Sequence, residues 1–165
     1  MRGEPRVRRL AVRIRSADAQ EGERLREIAI ASKSHWGYDL ERVTEWAGMG
    51  DFSPEGLRKK EVYVAEADGR AIAWAALIPK GAVIWLDDLW VEPGWTGEGV
   101  GSRLFRHAVE RARRLGGTRL EWEAEPHAVG FYKNMGGRYL RDSEPSVWGR
   151  VTPVMGLDLA ETVDG

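Results

Sequence analysis

Apolar and charged positions alternate early in the chain. In "RVRRLAVRIRSA" the apolar residues fall at Val7, Leu10, Val12 and Ile14, with one slip between Val7 and Leu10. This period of two predicts a first strand with one solvated face. Asp18 then stands where a helix cap is expected, and "AQEGERLREIAIASK" carries Leu25, Ile28 and Ala29 on one stripe, the spacing of an amphipathic helix. "YDLERVTEWAGM" reads as a second short helix and "SPEGLRKK" as a loop. Three strand patterns follow. "EVYVAEA" runs to Asp68-Gly69, a type I′ hairpin signature; "RAIAWAALIP" runs to Lys80-Gly81; "AVIWLDDLWV" runs to Glu92-Pro93. A glycine-rich turn leads into a helix over 101–115, with Leu104, Ala108, Ala112 and Leu115 on one face. "TRLEWEAE" predicts a strand stopped by Pro126, "HAVGFYKNM" a short helix closed by Gly136-Gly137, and "GRYLRD" with "VTPVMGLDL" a last strand pair. No repeat or interior linker interrupts the pattern, so residues 1–165 read as one α/β domain.

Composition narrows the function. A chain of 165 residues with 42% hydrophobic and 31% charged content can bury a core and matches an ordinary soluble domain. Lys and Arg total 25 against 26 Asp and Glu, so the bulk basic charge of a nucleic-acid protein is missing. There is no cysteine, which removes disulfides, thiolate nucleophiles and cysteine metal sites; no metal is expected. The start of the chain is basic but lacks the apolar run of a signal peptide, and no stretch reaches the roughly 18 apolar residues of a membrane span. A cytoplasmic protein without a membrane partner is the expectation.

The glycine-rich turn carries the candidate chemistry. Gly97, Gly99 and Gly101 alternate between a strand and an amphipathic helix. Glycine is a poor helix former, so its accumulation at a helix start calls for either a flexible turn or an anion held by bare backbone N–H groups and the helix dipole. The known nucleotide motifs do not match. The turn ends Gly-Val-Gly-Ser, without the Lys of a phosphate-binding P-loop, and Leu104 stands where a dinucleotide fingerprint needs its third glycine.

The wider segment "LDDLWVEPGWTGEGVGSRLF" resembles the cofactor-binding motif of the GCN5-related N-acetyltransferases, through Leu89, Val91, Pro93, Gly99 and Gly101. "EPHAVGFYKNMGG" is similar to the family's later segment, through Phe131, Tyr132, Met135 and Gly136. The order of elements agrees, and "ASKSHWGYD" with "WGRVTPVMGLDL" resembles a bacterial subgroup of the family. The resemblance implies a mixed, mostly antiparallel sheet with helices on both faces and acetyl transfer from acetyl-CoA to a primary amine by direct attack. The acceptor would be a small-molecule or peptide amine, and the resemblance leaves a homodimer open. It places the cofactor against Leu89, Trp90 and Val91, along Thr96, Gly97, Glu98, Gly99, Val100, Gly101 and Ser102, and near His127 and Phe131. Two positions depart from the family. Thr96 replaces a long Arg or Gln, and His127 replaces an Asn. Arg103, in the first turn of the helix, is expected to compensate for Thr96. A domain that binds acyl-CoA without turnover is the alternative, and the retained Tyr132 favours the enzyme.

The implied reaction needs donors for the thioester oxygen, a base for the amine and an acid for the leaving thiolate. Tyr132 is the expected acid, with Phe131 as its core neighbour. Asp87 and Asp88 are adjacent in a strand and should point to opposite faces, one towards the acceptor and one into structure. Asp88 is assigned to the acceptor side together with Trp90, because Leu89 and Val91 take the core-facing alternation; a bulge would reverse this. Glu123 shares a face with Glu125, and Glu123, His35, Trp36 and Trp90 are expected to border the acceptor. Of the eight tryptophans, Trp74, Trp85 and Trp122 read as core, while Trp36, Trp46 and Trp90 could form an aromatic wall for a cationic amine.

Overall fold

The computed structural model describes residues 11–159. The part of the first predicted strand before residue 11 lies outside the described residues. Seven strands are present: β1 (Val12–Ser16), β2 (Glu61–Ala67), β3 (Arg70–Lys80), β4 (Val83–Val91), β5 (Arg119–Glu123), β6 (Arg138–Asp142) and β7 (Pro153–Asp158). The helices are α1 (Gly22–His35), α2 (Leu40–Ala47), α3 (Pro54–Arg58), α4 (Val100–Arg114) and α5 (Val129–Asn134). The strands form one sheet in the order β1-β2-β3-β4-β5-β7-β6. Every neighbouring pair is antiparallel except β4 and β5. No helix among the described residues is long and apolar enough to cross a membrane.

The period of two divides the core. In β2, Tyr63 and Ala65 face one cluster with Leu104, Phe105, Ala108 and Ala112 of α4, whereas Val62 and Val64 face a second with Leu25, Ile28 and Ala29 of α1. Trp74 anchors the second layer by donating its buried indole N–H to the carbonyl of Leu25 at 2.8 Å. The Asp68-Gly69 hairpin has both residues at positive φ, 52° and 76°, as a type I′ turn requires.

Two expectations change. "SPEGLRKK" contains a helix, α3, rather than a loop alone. Ser53 caps it through Gly56 N at 3.1 Å, and Pro54 occupies the first turn, where its missing N–H costs nothing. Trp85 is not core. It lies half-buried on β4 with the Lys80 ammonium 5.2 Å from its ring.

β4 and β5 set the position of the site. They are parallel, so a crossover must join them, and α4 supplies it. Their pairing spans Val83–Trp85 against Arg119–Glu121. Gly117, after α4, makes the close return possible, since a Cβ there would lie 2.4 Å from Ile84 Cγ1. Beyond Trp85 and Glu121 the two strands share no further pairing, and both Leu86–Val91 and Trp122–Glu125 line one cleft.

Candidate active site

A bulge in β4 arranges the two aspartates. Asp88 pairs with Ala76 and Leu86 with Leu77, so Asp87 is the extra residue. The insertion changes side-chain parity. Leu86 and Leu89, three apart, both pack on the α4 side, and Trp90 packs on the α1 side. The expected opposition of Asp87 and Asp88 is therefore corrected: both carboxylates meet Lys60, Asp87 Oδ2 at 2.5 Å and Asp88 Oδ2 at 3.9 Å. The expected sharing of a face by Asp88 and Trp90 holds, and Trp90 Nε1 donates to Asp88 Oδ1 at 3.0 Å. The Asp88 side chain is 16% exposed against 31% for Asp87. Burial, followed by the neighbouring Asp87 carboxylate, pushes the Asp88 carboxyl up to about 7.

At one end of the cleft lies the glycine turn. Gly97 and Gly99 both adopt φ of 79°, in the left-handed region, and a Cβ on either would meet nothing within 4 Å. Gly99 is the cap residue of α4 and no side chain caps this terminus. The first helical hydrogen bond runs from Arg103 N to Gly99 O at 3.1 Å, so the N–H groups of Val100, Gly101 and Ser102 have no partner within the helix. Backbone donors, open space and the positive end of a helix 15 residues long suit the phosphates of an acyl-CoA. Thr96 directs its hydroxyl to Pro93 O at 2.8 Å, closing the turn before Gly97. Arg103, expected to compensate for it, donates its guanidinium to Val12 O at 2.9 Å, tying α4 to β1. Glu98 is exposed on the turn and stands apart from the cleft lining. Phe131 walls the cleft beside Gly101, where a Cβ would sit 3.7 Å from its ring.

Tyr132 forms the floor between the two ends. Its ring packs 4.9 Å from Trp122, 5.2 Å from Phe131 and 5.8 Å from Phe105. Burial raises its phenol far above the ordinary range, and the charges of Asp88 and Glu125 add to that shift. The hydroxyl is therefore protonated at neutral pH.

The opposite end of the cleft is organised by a residue that the sequence reading left beside the site. Glu125, 12% exposed, accepts from Tyr38 Oη at 2.6 Å and meets His127 Nδ1 at 3.0 Å, Arg150 at 3.4 Å and Lys33 at 3.6 Å. Burial opposes ionisation here. The hydrogen bonds from Tyr38 and His127 and the charges of Lys33 and Arg150 outweigh it and hold Glu125 below the usual carboxylate range. Glu123 is exposed at the rim. Trp36 stacks on His127 at 5.0 Å and 10°, which joins His127 to the cluster around Glu125. His35 is exposed, edge-on to Trp36 at 5.9 Å, and does not line the cleft. Trp46 and Trp90 meet at 5.3 Å, and Lys33 Nζ lies 4.4 Å and 5.8 Å from their rings. The sequence reading thus missed Lys33, Tyr38, Lys60 and Arg150 as members of the site, and placed Glu125 only as the neighbour of Glu123 on one face. Lys33, Tyr38 and Arg150 fall in the two segments that suggested the bacterial subgroup; Lys60 carries no local signal.

The whole cleft encloses about 1000 Å³ and runs unbroken from Gly97 to Arg150. An α/β sheet parted above an uncapped helix thus brings Asp88 and Tyr132 into one cleft with the glycine turn. The chain belongs to the acetyltransferase (GNAT) family, whose model matches residues 22–136. It is an acetyl-CoA-dependent N-acetyltransferase of that family. Over 150 residues it is 29% identical to the peptidyl-lysine N-acetyltransferase YjaB of Salmonella typhimurium, covering 90% of this chain and 98% of the relative. The fold matches the apo form of YjaB from Escherichia coli with a TM-score of 0.67, at 25% identity over 92% of this chain and 99% of that one. It matches the PaiA N-acetyltransferase of Thermoplasma acidophilum, solved with coenzyme A, with a TM-score of 0.76, at 19% identity over 90% and 99%. Among the described residues, no group of three or more His, Asp or Glu is placed to hold a metal ion.

Proposed function

We propose that this enzyme acetylates a primary amine by direct attack, with the donor's phosphates on the Gly97–Ser102 backbone and the amine entering past Trp36 and Tyr38. The observation that carries the reading is the uncapped, side-chain-free start of α4 opening into the same cleft as Asp88 and Tyr132. When bound, acetyl-CoA supplies an activated acetyl thioester. The chain supplies the rest. The part of β4 beyond Trp85 has an unpaired edge towards β5, and preorganised backbone donors there favour developing negative charge without reorganisation. Asp88, raised to about 7, is a carboxylate matched to taking a proton near neutrality. Tyr132 holds the proton that a leaving thiolate needs.

Two carboxylates with opposite shifts divide the work. Glu125 remains anionic and orders Tyr38, His127, Lys33 and Arg150; Asp88 exchanges the proton. The name of the Salmonella relative supports a peptidyl lysine as the first acceptor to try. The test is free-thiol release from acetyl-CoA with a lysine peptide, an N-terminal peptide amine and free amines in parallel. Amine-dependent release with the acetyl group recovered on nitrogen is expected. Thiol release that no amine accelerates would reject the reading.

A further inference from the structure

The acceptor end of the cleft already contains an amine. Lys33 projects from α1 into the site, with its side chain 15% exposed. Its Nζ lies over Trp46 at 4.4 Å, near Tyr38 at 5.5 Å and Trp90 at 5.8 Å, and 3.6 Å from Glu125 Oε2. Trp90 links this amine to the candidate base, since its indole N–H is the donor to Asp88. An aromatic wall beside a carboxylate is what the cleft would offer a substrate amine, and a side chain of the enzyme fills it.

We propose that Lys33 is itself an acetyl acceptor, modified within its own cleft by the enzyme's bound acetyl-CoA. The proposal rests on reading the cleft as the acetyl-transfer site. Burial lowers the Lys33 ammonium from its ordinary range, against the opposing pull of Glu125, so the nucleophilic free amine is more accessible here than on a solvated lysine. In the step, Lys33 Nζ bonds to the acetyl carbon and the thioester C–S bond breaks. One proton leaves the nitrogen and one arrives on the departing sulfur. The products are an amide on Lys33 and free coenzyme A.

The modification would change the site it occupies. Acetyl-lysine carries no charge, so Glu125 would lose one of its cations and the Trp46–Trp90 corner its ammonium. The enzyme would then exist in two forms with different charge at the acceptor end.

The other lysines give the test its selectivity. Lys59, Lys80 and Lys133 are exposed, and Lys60 is paired with Asp87. Spontaneous acetylation from solution favours the exposed amines, whereas transfer within the cleft favours the buried one. The protein is mapped by tryptic mass spectrometry as purified from cells and again after incubation with acetyl-CoA without any acceptor. Acetylation at Lys33 blocks cleavage there and leaves the 27–42 peptide whole with one added acetyl group. The expected result is Lys33 marked ahead of the exposed lysines, with a half-time independent of protein concentration. In Gly99→Glu the mark at Lys33 should vanish while slow surface labelling persists. Lys33→Arg, shown folded by circular dichroism, should lose the mark.

Marks confined to Lys59, Lys80 and Lys133, or a Lys33 mark that survives Gly99→Glu, would overturn the proposal. A lysine peptide acetylated at normal rates beside an unmodified Lys33 would overturn it while sparing the proposed function. Absence of both acetyl-CoA binding and transfer to any amine would reject the two together.

Discussion

Trp90 donates its indole N–H to Asp88 at 3.0 Å from two residues along the same strand. The bond holds the carboxylate on the cleft side of the sheet, where burial and Asp87 raise it to about 7. A base acts in its charged form, so kcat/KM on an amine acceptor should rise with pH through about 7. Asp88→Asn should lower turnover by roughly 10²-fold or more and erase that limb. Stability should move the other way. A carboxyl raised on folding favours the folded state below its unfolded pKa and loses that contribution as pH rises through the folded value, so Asp88→Asn should melt higher than wild type at pH above about 7. Rate profiles and melting curves of both proteins across neutral pH check the pair of effects.

Lys60 faces both aspartates, and its positive charge opposes the rise in the Asp88 carboxyl. Lys60→Met should therefore shift the acid limb of the rate profile to higher pH. Acetyl-CoA binding should be unchanged, because Lys60 lies outside the proposed phosphate turn. A limb that stays in place or moves to lower pH would separate Lys60 from the base.

Gly99 combines positive φ with the last position before α4. Gly99→Ala should lower stability by about 1 kcal/mol through backbone strain alone and keep part of the thermal shift given by acetyl-CoA. Gly99→Glu adds a negative charge at the proposed phosphate site and should abolish the shift. Differential scanning fluorimetry with and without acetyl-CoA resolves charge from strain.

The Tyr132 ring is held by Trp122, Phe105 and Phe131, contacts that phenylalanine preserves. Tyr132→Phe should fold normally, bind acetyl-CoA as wild type does and lose roughly 10²-fold in kcat. Equal kcat in the two proteins would make Tyr132 a packing residue only.

Local periodicity made most of the fold legible. The hairpin at Asp68-Gly69, the stripe of α1 and the apolar face of α4 each depend on neighbours within a turn or two. The glycine turn was legible for the same reason, since its glycines are consecutive features of one strand-to-helix junction. α3 was missed although Ser53-Pro54 is a helix start, because a segment of five helical residues gives almost no periodicity. The bulge at Asp87 was hidden because its register depends on β3, and with it went the true direction of one aspartate. The cluster around Glu125 was least legible. Arg150 and Tyr38, which meet there, are 112 residues apart, and Glu125 comes from a third segment, after β5. Such a cluster exists only after the sheet has formed.

The short ladder between β4 and β5 also determines what holds the cleft open. Its paired residues, Val83–Trp85 and Arg119–Glu121, lie at the foot of the parted strands. Above that foot no rung joins the two strands, but each is tied outwards, Asp88–Val91 to β3 and Trp122–Glu123 to β7. The width of the gap is therefore set by two antiparallel ladders on its flanks rather than by anything that spans it. Slow hydrogen exchange along both upper strands would be the signature of such a fixed opening.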